Sequence, residues 1–222
     1  MINSSLGPFT RLVCVVDDDE MVRASMRMLI ETVGIEVRTY ASAQALVEDR
    51  EALNHCGCLV LDVRMPGLSG LDLQEKLKSL NCDAPIIFIT GHGDVPMAVR
   101  AMRSGALDFL QKPFNEQMLL DRVQQALNMW SEGRASRRKQ DSFEARLACL
   151  TPREREVLDG MVAGRLNKQI AAELDISTKT VEQHRARIMQ KMHVDSFAEL
   201  VRLIAVRNAA APANGSSGNT QT

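Results

Sequence analysis

Residues 58–70 read CLVLDVRMPGLSG, and the fold can be read outward from this stretch. Cys58, Leu59, Val60 and Leu61 make a short apolar run of the kind that a strand buried on both faces carries. Asp62 closes the run, Pro66, Gly67 and Gly70 punctuate a loop, and an amphipathic pattern follows over residues 71–80. The same unit recurs on both sides. Apolar runs at 12–16, 36–40, 85–90 and 108–111 precede helical patterns at 20–33, 43–50, 95–104 and 115–131. Five strand-then-helix units predict an α/β fold, a doubly wound five-stranded parallel sheet.

In such a sheet, chemistry collects where loops leave the carboxyl ends of the strands. The first run ends in Asp17-Asp18-Asp19, the third in Asp62, the fourth in Thr90, and the fifth leads into Lys112-Pro113. Carboxylates gathered at one rim repel one another unless a cation joins them. Oxygen ligands with waters completing the shell suit Mg²⁺. A carboxylate beside Mg²⁺ and a lysine can accept a phosphoryl group, because both cations offset charge on the transferring oxygens. Asp62, at the end of a central strand, is the expected nucleophile. Taken singly, each residue has a plainer reading: an Asp after a strand is often a helix cap, and a lysine before a turn is often a solvated charge.

The chain is 45% apolar and 25% charged, as ordinary globular proteins are. No apolar run is long enough to span a bilayer, and MINSSLGPFT lacks the features of a secretory signal, so no membrane association and a cytoplasmic location are expected. Five scattered cysteines, an odd number, read as reduced thiols rather than a disulfide framework. The Cys56-Gly57-Cys58 pair has no second Cys/His pair at zinc spacing.

Charge divides along the chain. Residues 1–130 carry 12 Lys and Arg against 17 Asp and Glu, whereas residues 131–222 carry 15 against 11. A basic second half points to nucleic acid as its partner. The expected organisation is a disordered segment at 1–10, the α/β domain at 11–131, a polar linker of helix-forming composition at 132–146, an all-α four-helix domain at 147–207, and a disordered tail at 208–222. In the helical domain Thr151, Pro152 and Glu154 predict a capped helix start. Helices near 167–174 and 178–192, joined by Asp175-Ile176-Ser177, have helix-turn-helix spacing. On the latter, Val181, His184, Ile188 and Met192 face a core, with His184 read as a packed histidine. Lys179, Gln183, Ala186 and Gln190 face away, flanked by Glu182 and Arg187, and are expected to meet base edges. Lys168, Arg185 and Lys191 are expected to reach phosphates. Glu182 is an objection to this reading, unless it accepts from a cytosine amino group. A helical bundle with a solvated polar face is the plainer alternative.

Four motifs, VVDDDEMVR, LVLDVRMPGLSG, IIFITGHGD and DFLQKPF, resemble the receiver domain of two-component response regulators. LTPREREVL, NKQIAAEL and KTVEQHRARIMQKM resemble the LuxR-type output domain of the NarL/FixJ family, and the whole chain is FixJ-like. The resemblance implies a transcription factor and not an enzyme acting on external substrates. It implies that Asp17 and Asp18 arrange Mg²⁺ with Asp62 and the backbone carbonyl of Arg64, and that Asp62 takes phosphate from a sensor histidine kinase. It assigns Thr90 and Lys112 to the phosphoryl group, Phe109 to a rotamer switch, Asp19 to a helix cap, and Gly91 to a place where bulk would block Asp62. Homodimerisation on phosphorylation through the face formed by 95–111, binding to duplex promoter DNA, and RNA polymerase as a further partner complete the implied scheme. Two rivals are set against it. One is a switch whose helical half binds protein. The other is an aspartyl phosphatase, which would want a second Asp where Arg64 stands.

Overall fold

The structure, a computed structural model, describes residues 11–91 and 95–210. The segments expected to be disordered, 1–10 and most of 208–222, lie outside the described residues, as do residues 92–94 of the IIFITGHGD motif. The chain divides into two compact units, residues 1–135 and 136–222.

The first unit follows the order β1 (Leu12–Val16), α1 (Glu20–Glu31), β2 (Glu36–Tyr40), α2 (Ala43–Glu48), α3 (Arg50–His55), β3 (Cys56–Asp62), α4 (Gly70–Ser79), β4 (Ile86–Thr90), α5 (Val95–Arg103) and β5 (Asp108–Gln111). Helix α6 (Glu116–Ala148) starts in this unit and continues past the division. The strands are parallel in the order β2-β1-β3-β4-β5. β1, β3 and β4 are buried along their whole length, which explains why they read as unbroken apolar runs. Alternation splits their side chains between two cores. Leu12, Cys14, Leu59, Leu61 and Phe88 pack on one face, and Val13, Val15, Val60, Ile87 and Ile89 on the other. All five cysteines are free thiols, three of them buried among these strands.

The helix expected over 43–50 is two short helices. Asp49 breaks the run with ψ of 78°, and its side chain caps the second helix by accepting from the Ala52 N–H. Its other oxygen accepts from the Tyr40 hydroxyl at 2.9 Å.

The second unit contains the end of α6 with α7 (Pro152–Val162), α8 (Asn167–Glu173), α9 (Thr178–Met192) and α10 (Phe197–Ala210). Thr151 and Glu154 form the expected reciprocal cap of α7. The core gathers Val157, Met161, Ile170, Val181, Ile188, Met192, Leu200 and Ile204. Residues 132–146, expected as a linker, are helical throughout, and Phe143 is buried in this second core with Leu147 packed against it. α10 also extends to Ala210, past the expected start of the tail.

Candidate functional site

The strand ends place four polar residues together at the carboxyl edge of the sheet. Asp17 follows β1, Asp62 ends β3, Thr90 ends β4, and Lys112 follows β5 with its N–H donating to the Thr90 carbonyl at 2.8 Å. The Lys112 Nζ lies 2.7 Å from Asp17 Oδ2 and 3.4 Å from Asp62 Oδ1. Asp17, Asp62 and Thr90 are 2%, 7% and 1% exposed, so one ammonium serves two buried carboxylates. Burial pushes the Asp62 carboxyl above the ordinary aspartate range; Lys112 pulls it back and the Asp17 charge adds to the rise.

Backbone contacts fix the acids in place. Asp62 Oδ2 accepts from the Arg64 N–H at 2.7 Å, and Asp17 Oδ1 from the Asp19 N–H at 2.9 Å. Asp19 caps α1 as expected, accepting from the Met21 and Val22 amides. Two residues with no assigned role in the sequence reading also belong to the site. Arg23 on α1 donates to the carbonyls of Asp17 and Asp18. Gly70 begins α4 so close to β3 that a Cβ there would stand 2.2 Å from the Asp62 carbonyl oxygen. Its signal in the sequence is a glycine where a helix should begin, directly after the Ser69 cap.

Asp18 is exposed and, with Val63 and Arg64 from the loop after β3, lines a cleft of about 520 Å³. Among the described residues no three metal-ligating side chains form a preformed cluster. The donor set nonetheless fits Mg²⁺, an ion that binds through one or two carboxylates and keeps several waters. Among the described residues, a Cβ at Gly91 would meet nothing within 4 Å. Phe109 is half-buried, its ring centroid 6.5 Å from that of Phe88. On α5, Ala101 is buried while Met102 is 45% exposed, and Arg100 is paired with Asp72 at 3.8 Å.

In the second unit α8 and α9 are joined through Leu174–Ser177, with Asp175 at a φ of 51°. Val181, Ile188 and Met192 are buried and His184 is half-buried, as the periodicity predicts. Lys168, Lys179, Glu182, Gln183, Ala186, Arg187 and Gln190 are exposed. The two other expected phosphate contacts have partners within the unit. Lys191 Nζ lies 2.7 Å from Glu154 Oε2 and donates to the Cys149 carbonyl at 3.2 Å. Arg185 donates to Asn167 Oδ1 at 3.0 Å and lies over the Phe197 ring at 5.5 Å. Both are set by helical phase: Arg185 and Lys191 stand three residues from Ile188 on either side, so their stems leave toward the core-facing side.

A receiver-type α/β unit followed by a helix-turn-helix unit is the class this architecture defines. Residues 13–124 match the response regulator receiver domain, and residues 148–204 match the bacterial regulatory proteins of the luxR family. The response regulator TmoT of Ectopseudomonas mendocina is 45% identical over 86% of this chain and 87% of its own length. The transcriptional regulatory protein FixJ of Bradyrhizobium diazoefficiens is 44% identical over 86% and 93%. Among solved structures, the response regulator StyR superposes with a TM-score of 0.82 at 49% identity, covering 88% of this chain and 98% of that one. The chain belongs to the response regulators that carry a LuxR-type helix-turn-helix domain. Among the described residues no helix is long and apolar enough to cross a membrane.

Proposed function

We propose that the protein is a transcription factor switched by phosphorylation of Asp62. The observation that carries this reading is the Lys112 ammonium shared between Asp17 and Asp62 at a buried strand edge. A sensor histidine kinase is the expected donor: an O–P bond forms at Asp62 as the P–N bond to the kinase histidine breaks. Asp17, Asp18, Asp62 and the Arg64 carbonyl would hold Mg²⁺, which when bound offsets charge on the transferring oxygens. Lys112 moves from carboxylate partner to phosphoryl partner, Thr90 donates its hydroxyl, and the Arg64 N–H holds the nucleophile's orientation. Drawing Thr90 and Lys112 inward pulls both ends of the segment that includes α5 and β5. Phe109 changes rotamer with it, and the 95–111 face becomes the homodimer surface.

In the second unit α9 is the recognition helix. Gln183 and Arg187 read base edges on the face shared with Lys179, Glu182, Ala186 and Gln190, while Lys168 meets phosphate. Arg185 and Lys191 hold the helix in its domain. RNA polymerase is the natural further partner of a promoter-bound regulator. Equilibrium titration of the full chain with duplex DNA, with and without beryllofluoride and Mg²⁺, tests the scheme. Affinity should rise with beryllofluoride and fall steeply with salt. Binding that ignores both would instead favour a switch whose helical unit engages protein.

A further inference from the structure

The turn after β1 carries two of the acids, and an arginine six residues on holds its backbone. Arg23 is half-buried on α1, and its Nη1 donates to the Asp17 carbonyl at 2.8 Å and the Asp18 carbonyl at 3.0 Å. The helix does not require this bond, because Asp19 caps α1 independently. Asp17 is fixed several times over: its N–H donates to the Tyr40 carbonyl at 3.2 Å, and its carboxylate takes the Asp19 N–H and the Lys112 ammonium. Asp18 is not. Its side chain is exposed at the cleft, and among the described residues it is held through its carbonyl by Arg23 alone.

We infer that Arg23 is a positioning residue for the cation site, ordering the Asp17-Asp18 backbone so that the Asp18 carboxylate faces the cleft that Val63 and Arg64 also line. This rests on reading the pocket as the Mg²⁺ site. Arg23 acts through the two carbonyls and not as a ligand, with charge-assisted bonds that are stronger than neutral ones. Its positive charge works the other way, since a fixed cation near the acids opposes a dication. The two effects have opposite signs, so removing the side chain shows which one dominates. If geometry dominates, Mg²⁺ binds more weakly without Arg23; if charge dominates, it binds more tightly.

The test is Mg²⁺ titration of the full chain by calorimetry in wild type, Arg23→Met, Arg23→Lys and Asp18→Ala, each checked for folding by its circular dichroism melt. Arg23→Met should weaken Mg²⁺ binding by up to about tenfold, the limit reached if the whole worth of a hydrogen bond involving a charged group goes into holding Asp18 in place. Arg23→Lys, which keeps a charged donor, should recover part of that loss. If Arg23→Met fails to fold, Arg23→Gln takes its place with the same expectation. Affinity unchanged or tightened without the arginine, or a loss that lysine does not reduce, overturns the assignment. Asp18→Ala separates the two levels of the argument. If it binds Mg²⁺ as wild type does, the pocket reading falls and the Arg23 inference with it. If it weakens binding while Arg23→Met does not, the arginine inference alone falls.

Discussion

Replacing Lys191 with methionine separates a structural lysine from a DNA-binding one. Glu154 is 4% exposed on its side chain and Lys191 35%, with 2.7 Å between the charged atoms. Breaking a fully buried pair costs about 3–5 kcal/mol, because it strands a charge out of water. Water reaches a third of Lys191, which weakens the pair by screening. Glu154 also keeps its bond from the Thr151 N–H at 2.9 Å. Together these bring the expected loss to about 2 kcal/mol. For a domain of this size each kcal/mol shifts the melting temperature by about 4–8 °C, so the second unit should melt roughly 8–16 °C lower. Scanning calorimetry on the full chain resolves that transition.

The pH dependence of the same pair has a definite sign. The Lys191 hydrogen bond holds the Glu154 carboxyl below its ordinary value of 4.5. A depressed carboxyl stabilises the fold above that value and stops doing so as pH falls through its folded value, so the gap between wild type and variant should close in acid. An unchanged melting temperature, together with a salt slope for DNA binding reduced by about one, would refute this reasoning and return Lys191 to the phosphates.

Three further changes probe other parts of the molecule. Asp62→Asn should raise the melting temperature of the first unit at neutral pH in EDTA; because burial raises the Asp62 carboxyl, the gain should vanish as pH falls toward the ordinary aspartate value of 3.8. Gly70→Ala should slow phosphorylation by acetyl phosphate and lower stability, because its Cβ meets the rigid Asp62 carbonyl rather than a movable side chain; kinetics as fast as wild type would show that α4 yields. Leu166→Ser should stabilise the second unit by about 1 kcal/mol, since Leu166 stands 70% exposed at the start of α8 and gives it no side-chain cap; thermal melts read this directly.

The sequence displayed the sheet because β1, β3 and β4 are buried on both faces and therefore appear as apolar runs. It displayed the pocket because each acid, the threonine and the lysine stand directly at or beyond a run's end. What it did not display depends on contacts between distant segments. Asp49, at the break, is also held by the hydroxyl of Tyr40, nine residues earlier and on another element. The continuation of α6 into the second unit rests on Phe143 and Leu147, two apolar residues in a polar stretch whose burial depends on α7 and its neighbours. Lys191 and Arg185 look like free cations until helical phase is measured from Ile188 and their partners, Glu154 and Asn167, come into reach. Gly70 carries no side chain to suggest a role, and its importance lies in how closely one backbone approaches another.

The claim on which the rest depends is that Asp62 accepts the phosphoryl group. Treating the full chain with acetyl phosphate and Mg²⁺, and locating the label by mass spectrometry after trapping the acyl phosphate, tests it directly. A single phosphoryl group on Asp62, absent from Asp62→Ala, is the expected result. Label that persists undiminished in that variant would contradict it.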